Sequence, residues 1–408
     1  MTRLVVSIAG IVVCLLIIWI NAQAGLSRLL GKYAFLNDSR EAADTSVSLT
    51  PNDPEAHRVR AAVLYRLKQV PEAAKELEQA IALRPRDDYL WLELAMIRDE
   101  LDDPAGAELA FNESVRLAPF YAFPRWQRGN FYLRQHRFEE AFADMRQAAA
   151  GNPVFIPNLI DLAWAISGGD VKAVERLAQI NDGETRAAFA GLLAKKGKAR
   201  EAVEQLALAR DVSEQTRNQI VRDLISAKAF SEGYRVWTKL NNYEMGTVYD
   251  GGFEGTLGFD EFGFGWRLSK SIQGVKLSAD STQPQSGTRS LLIEFNGDSN
   301  PGSPIVSQLV VIAPSRRYQV NFSGRTRDLV SGGLPVVVIS DAESSKRLGE
   351  SPAVRPDMTE WRTLSFEFEA DSASKAVMLS VQRQGCTTGP CPIFGSVWLD
   401  SFSMQPLR

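Results

Sequence analysis

Residues 51–84 read PNDPEAHRVRAAVLYRLKQVPEAAKELEQAIALR, residues 85–118 PRDDYLWLELAMIRDELDDPAGAELAFNESVRLA, and residues 119–152 PFYAFPRWQRGNFYLRQHRFEEAFADMRQAAAGN. Pro51, Pro85, Pro119 and Pro153 stand 34 residues apart. Ala73, Ala107 and Ala141 keep step with them, as do Ala80, Ser114 and Ala148, and then Ala61, Ala95 and Gly129. Four series in one phase mean a stack of like units, each a supersecondary element that cannot bury its apolar face alone.

Within a block the residues dictate the unit. His57, Ala61, Leu64 and Tyr65 fall on one helical stripe, and Ala73, Ala74, Leu77, Ala80 and Ile81 on a second, with a break between residues 67 and 71. This i, i+3, i+4 spacing is that of amphipathic helices. Such short helices are marginal alone in water, and small residues at fixed places let a pair approach closely. The proline at the block boundary ends the second helix by biasing its predecessor out of the α region.

With that length, two helices, small residues and a closing proline, residues 54–155 resemble the tetratricopeptide repeat family, with best repeats at 54–87, 88–121 and 122–155. The early aromatic of the repeat drifts from His57 to Trp91 to a displaced Trp126. The resemblance implies a superhelical solenoid that binds proteins in a concave groove. That groove would present Arg58, Tyr65, Arg66, Tyr89, Leu92, Met96, Trp126, Asn130 and Arg134. Tyr, Trp and Arg of this kind are enriched at binding hot spots. A spacer that binds nothing is the alternative.

Upstream, residues 4–20 carry no charge and follow Arg3, a run at the lower bound for crossing a bilayer. Ala22-Gln23-Ala24 before Gly25 also resembles a signal-peptidase site. The run is long for a signal core, and Trp19 suits an interface, so the reading is an uncleaved anchor over residues 1–24, with cleavage after Ala24 as the alternative. Residues 25–243 then form the helical solenoid, beginning with a divergent pair at 25–49 and ending in degenerate pairs after Pro153.

From residue 245 the texture changes to short alternating runs at 290–295, 304–312, 318–326, 335–340, 361–368, 376–382 and 395–404, split by Gly, Ser and Pro clusters. Many short strands between turn signals indicate an antiparallel β-sandwich. The fold class is therefore an N-terminal transmembrane helix, an α-helical solenoid and a C-terminal β-sandwich jelly roll.

Asp250-Gly-Gly-Phe-Glu254, Phe264-Gly-Trp266, Ser286-Gly-Thr-Arg-Ser-Leu291, Trp361-Arg362 and Val397-Trp-Leu-Asp400, in that order, resemble the galactose-binding-like jelly rolls that include many carbohydrate-binding modules. The resemblance covers residues 245–408. It implies a structural calcium held by Glu254 and Asp400 beside the 286–289 turn. Strand capping by backbone hydrogen bonds is the other reading of the same two acids. Phe259, Phe262, Phe264 and Trp266, mixed with glycines and with Asp260 and Glu261, form the candidate carbohydrate surface, whereas Trp361 and Trp398 sit in alternating strands and are expected in the core.

Cys386 and Cys391 flank a short loop, and in an exported domain such a pair is expected to form a disulfide. The only histidines are His57 and His136, both in the repeats, and no nucleophile elbow, phosphate loop or zinc helix occurs. Asp260 with Glu261, or Glu254 with Asp400, are read as solvent-facing or structural acids rather than a glycosidase pair. A net charge of -3 gives no basic face for nucleic acid. No cofactor beyond the calcium is expected. The function read here is a periplasmic, membrane-anchored, non-enzymatic scaffold: protein partners in the groove, carbohydrate on the sandwich, in cell-envelope or exopolysaccharide assembly. A purely protein-binding assembly factor is the alternative.

Overall fold

A computed structural model describes residues 2–240, 245–255, 257–259, 261–270, 272–387 and 390–407. Two compact units divide the chain, Met1–Ile180 and Asn181–Arg408.

The first unit opens with one uninterrupted helix, α1 (Thr2–Asn37), that joins the apolar run to the segment read as a separate first helix. Hairpin follows hairpin after it: α2 (Arg40–Leu49), α3 (Pro54–Arg66) with α4 (Val70–Leu83), α5 (Asp88–Glu100) with α6 (Pro104–Leu117), and α7 (Ala122–Arg134) with α8 (Phe138–Gly151). A shorter pair, α9 (Ile156–Ile166) and α10 (Val171–Ala178), closes the unit. Asp53, Asp87 and Asp103 accept hydrogen bonds from the first free amides of α3, α5 and α6, and Pro54 and Pro104 occupy first-turn positions that need no amide donor.

Ala73, Ala107 and Ala141 are fully buried, as are Ala80, Ser114 and Ala148. Gly129 shows why the third series stays small: a Cβ there would lie 2.8 Å from Met145 Cγ and 3.1 Å from the Ala141 carbonyl oxygen. A fifth series in the same phase is conformational. Lys68, Asp102 and His136, 34 residues apart, each take a left-handed backbone with φ of 63°, 55° and 59° between the two helices of their hairpins.

The second unit begins with two further hairpins, α11 (Gly183–Lys195) with α12 (Ala199–Leu208) and α13 (Glu214–Ser226) with α14 (Phe230–Trp237). Among the described residues ten strands follow: β1 (Arg267–Leu268), β2 (Val275–Asp280), β3 (Ser290–Asp298), β4 (Val306–Val311), β5 (Arg317–Ser331), β6 (Pro335–Asp341), β7 (Arg347–Glu350), β8 (Arg362–Glu369), β9 (Ala376–Arg383) and β10 (Pro392–Pro406). They form two antiparallel five-stranded sheets, ordered β1-β4-β9-β6-β7 and β2-β3-β10-β5-β8. Alternate residues of both sheets (Leu291, Ile293 and Phe295; Val377, Leu379 and Val381; Val397 and Leu399) meet in one core, as the period of two requires.

Candidate functional site

In the solenoid the groove residues separate into those that face solvent and those that do not. Tyr65, Tyr89 and Met96 are exposed. Leu92 and Trp126, expected in the groove, are buried. Trp126 stacks on Phe155 with ring centroids 4.7 Å apart, so its face is already covered. Asn130 bonds Gln127 within its own helix, and Arg134 is paired with Asp99.

Phe35, Ala61, Tyr65, Leu77, Met96 and Ile97 line a pocket of about 340 Å³, with Arg66 and Glu93 at its polar margin. Arg66 is held by Asp38 at 2.8 Å, by the Phe35 carbonyl at 2.6 Å, and over the Phe35 ring at 4.3 Å. Arg58 bridges Glu55 at 2.7 Å and Glu93 at 3.4 Å. Burial pushes the Glu93 carboxyl up from its ordinary value, and its Oε2 is buried without a hydrogen-bond partner. The Glu93 charge raises the Tyr89 hydroxyl, and a hydrogen bond to Glu100 raises that of Tyr65. The result is an apolar pocket with a half-buried acceptor on its wall. Repeat-level reasoning did not single out Glu93 or Phe35, because neither sits on the aromatic positions of the pattern. An exposed aromatic group at Phe120, Tyr121 and Phe123, around the start of α7, was likewise not anticipated.

The sandwich corrects the aromatic cluster. Phe264 and Trp266 are buried: Phe264 meets Tyr234 of α14 edge-on at 4.9 Å, and Trp266 packs on Phe253 and Phe402. Phe262 lies under the Arg222 guanidinium at 4.3 Å. Phe259 alone of the four offers a free face, at 48% exposure. It lines a cleft of about 860 Å³ with Arg267, Lys270, Gln273, Asn300 and Pro301, bordered by Cys391. Cys386 and Cys391 are joined as a disulfide. Asp260 lies outside the described residues, and Glu261 accepts the Gly263 amide at 2.6 Å.

Trp398 is buried but not in the core. Its neighbours Val397 and Leu399 point inward, so strand parity sends Trp398 to the opposite face. There it is roofed by Arg325 at 4.6 Å and Arg327 at 5.1 Å, and Arg325 also reaches Trp361 at 5.4 Å.

Glu254 and Asp400, the two acids of the expected calcium set, meet the 285–289 turn. Asp400 Oδ2 accepts the amides of Gln285 at 2.8 Å and Ser286 at 3.0 Å, and its Oδ1 accepts Ser401 N–H. Glu254 Oε1 accepts Thr288 N–H at 2.9 Å and Arg289 N–H at 3.3 Å. Both carboxylates thus face donors, whereas a calcium cage surrounds the ion with six to eight oxygens. Among the described residues no three His, Cys, Asp or Glu side chains converge as a metal site. As arranged, the two acids cap the 285–289 turn.

These bonds have a pH signature. The Thr288 hydroxyl and amide hold the Glu254 carboxyl below its ordinary value, and Thr282 with Trp398 does the same for Asp280. At Asp341 burial opposes, but bonds from Ser344 and Ser374 prevail and the carboxyl is again lowered. A carboxyl lowered on folding stabilises above its unfolded value and loses that contribution as pH falls through the folded one. Thermal melts of the second unit should therefore be flat from pH 7 to about 5 and decline below about pH 4.

No protein-family model matches the chain. It is 31% identical to FlbA of Caulobacter vibrioides over 105 residues, which amounts to 25% of this chain and 18% of that protein, well under two thirds of its length. Among solved structures it is similar to MamA of Desulfovibrio magneticus (18% identity, 38% of this chain and 92% of that one, TM-score 0.34). It is also similar to the CBM22-1 xylan-binding domain of Xyn10C from Paenibacillus barcinonensis (12% identity, 41% and 99%, TM-score 0.27). The architecture rests on the molecule's own geometry: a tetratricopeptide-type array of helix hairpins on a 34-residue period, continued by a two-sheet antiparallel sandwich.

Proposed function

We propose that this chain is a membrane-anchored, non-catalytic scaffold facing the bacterial periplasm, which recruits a protein segment through its repeats and holds polysaccharide on its sandwich during cell-envelope or exopolysaccharide assembly. The observation that carries the protein-binding half is the pocket between Tyr65 and Met96, apolar on its walls with the half-buried Glu93 carboxylate at its margin. An extended segment that inserts an apolar side chain there, beside a Lys, Arg or amide donor for Glu93, satisfies both features. The cleft beside Phe259 supports the carbohydrate half, since it sets one free aromatic face among amide and hydroxyl groups. Two sites on one tethered chain raise effective concentration without any new contact.

The test is selection of extended peptides from a displayed library on the full-length protein in detergent. Enriched peptides should pair a basic or amide residue with an apolar one, and Tyr65→Ala or Glu93→Gln should weaken them about tenfold without moving the melt. In parallel, Phe259→Ala should weaken retention on immobilised soluble polysaccharides. A folded protein that binds peptide but no glycan reduces the reading to a protein-binding assembly factor. Peptide binding indifferent to both groove variants overturns the pocket assignment.

A further inference from the structure

The sheet β2-β3-β10-β5-β8 turns one face to the core and leaves the other outward. Val397 and Leu399 are core residues, so Trp398 faces outward with its cross-strand partner Arg325, and Ser396 does so with Arg327. Past an irregularity at Gly395, Leu329 and Ile393 are again core residues. Val330 and Phe394, which pair across the same two strands, therefore face outward, at 67% and 50% exposure. One face of β10 and β5 thus carries a cationic end at Trp398 and an apolar end at Phe394, about 13 Å apart along the strand.

The cations are not used up by the fold. Among the described residues Arg327 forms no hydrogen bond or ion pair; it is exposed, with its guanidinium over the Trp398 ring at 5.1 Å. Arg325 lies over both Trp398 and Trp361, donates to Gln283 Oε1, and keeps its Nε buried without a hydrogen-bond partner. The acids beside them are engaged elsewhere. Asp280 accepts Trp398 Nε1–H and the Thr282 amide, and Glu294 pairs with Lys276 at 3.0 Å. A guanidinium seated over an indole still presents N–H donors at its edge, in a fork that matches a carboxylate with two parallel bonds.

An acidic polysaccharide fits both ends of this face. Its carboxylates neutralise Arg325 and Arg327, and the apolar side of a pyranose ring covers Phe394. An acidic peptide fits less well: β10 and β5 are interior strands, paired on both sides, and offer no free edge for strand addition. None of these residues lines the cleft beside Phe259.

We infer that the outer face of β5 and β10 is a second polysaccharide site, selective for chains bearing uronate-type carboxylates, in which Arg325 and Arg327 hold the carboxylates and Phe394 stacks on a sugar ring. The inference rests on the polysaccharide-holding role proposed for the sandwich.

Binding of the full-length protein in detergent to immobilised polygalacturonate and alginate tests it, against the same polymers with their carboxyls reduced to alcohols, at about 0.15 M salt. At least one native polymer should bind ten times more tightly than its reduced form. Arg327→Gln and Phe394→Ala, both at exposed side chains, should each weaken that binding about tenfold with the melt unmoved. Arg327→Lys should recover only part, because it keeps the charge and loses the fork. Arg347→Gln, which removes the same charge from the other sheet, should change nothing. Equal binding of native and reduced polymers, or an equal loss at Arg347→Gln and Arg327→Gln, overturns the assignment. If polymer binding in those cases is lost with Phe259→Ala, the polysaccharide role stands and only this site falls. A folded protein that holds none of the polymers overturns both.

Discussion

Replacing Phe264 with alanine should destabilise the second unit by about 3–5 kcal/mol, the usual cost of emptying a buried aromatic site. The ring is fully buried, edge-on to Tyr234 and 5.9 Å from Trp237, and Trp237 in turn meets Tyr249 at 4.7 Å. These contacts tie α14 to the loop that leads into β1, so the substitution opens a void between helix and sandwich rather than within either. At roughly 2–4 °C per kcal/mol for a domain of this size, the transition of the second unit should drop by about 10 °C in calorimetry. Phe264→Leu, which keeps most of the volume, should cost far less. By the same contacts, residues 181–408 should melt higher than residues 245–408, which lack Tyr234 and Trp237. Equal melts for the two fragments would mean that the helices contribute nothing to the sandwich.

Asp400→Ala is the second large effect, at about 2–4 kcal/mol. It leaves the amides of Gln285, Ser286 and Ser401 without their acceptor in a site where the carboxylate is fully buried. Asp400→Asn keeps one oxygen and should cost less. If the carboxylate works through these amides alone, a chelator leaves the wild-type melt unmoved and added calcium does not rescue the alanine variant. A chelator-induced drop of several degrees would instead return Asp400 and Glu254 to a cation role.

The repeat array was legible because its constraints fall on residue type: only small side chains fit where α3 meets α4 and α7 meets α8, and only proline closes each block. The left-handed turns at Lys68, Asp102 and His136 obey the same period yet were invisible, since three unlike residues share one backbone conformation. Sandwich strands could be read from parity, and applying parity to Trp398 would have moved it out of the core. The stretch from Phe259 to Trp266 misled because it lacks alternation, which resembles an exposed loop. Its glycines were the better clue. Gly263 lies against the Trp237 indole, and Gly265 against the Glu261 carboxyl, so both mark close approach rather than freedom. Trp126 failed for another reason: its partner Phe155 lies in the short turn after α8, outside the two helices from which the groove was read.

The uninterrupted course of α1 has a mechanical consequence. No proline breaks it between Thr2 and Asn37, and its last turns are clamped through Ser27, Gly31 and Ala34. It is therefore a lever about 54 Å long without a swivel. On the anchor proposed above, a change in its tilt is carried to the first hairpins: 10° would swing the far end by about 9 Å and turn the Tyr65–Met96 pocket with it. The pocket would thus be re-aimed with no ligand and no change in its shape.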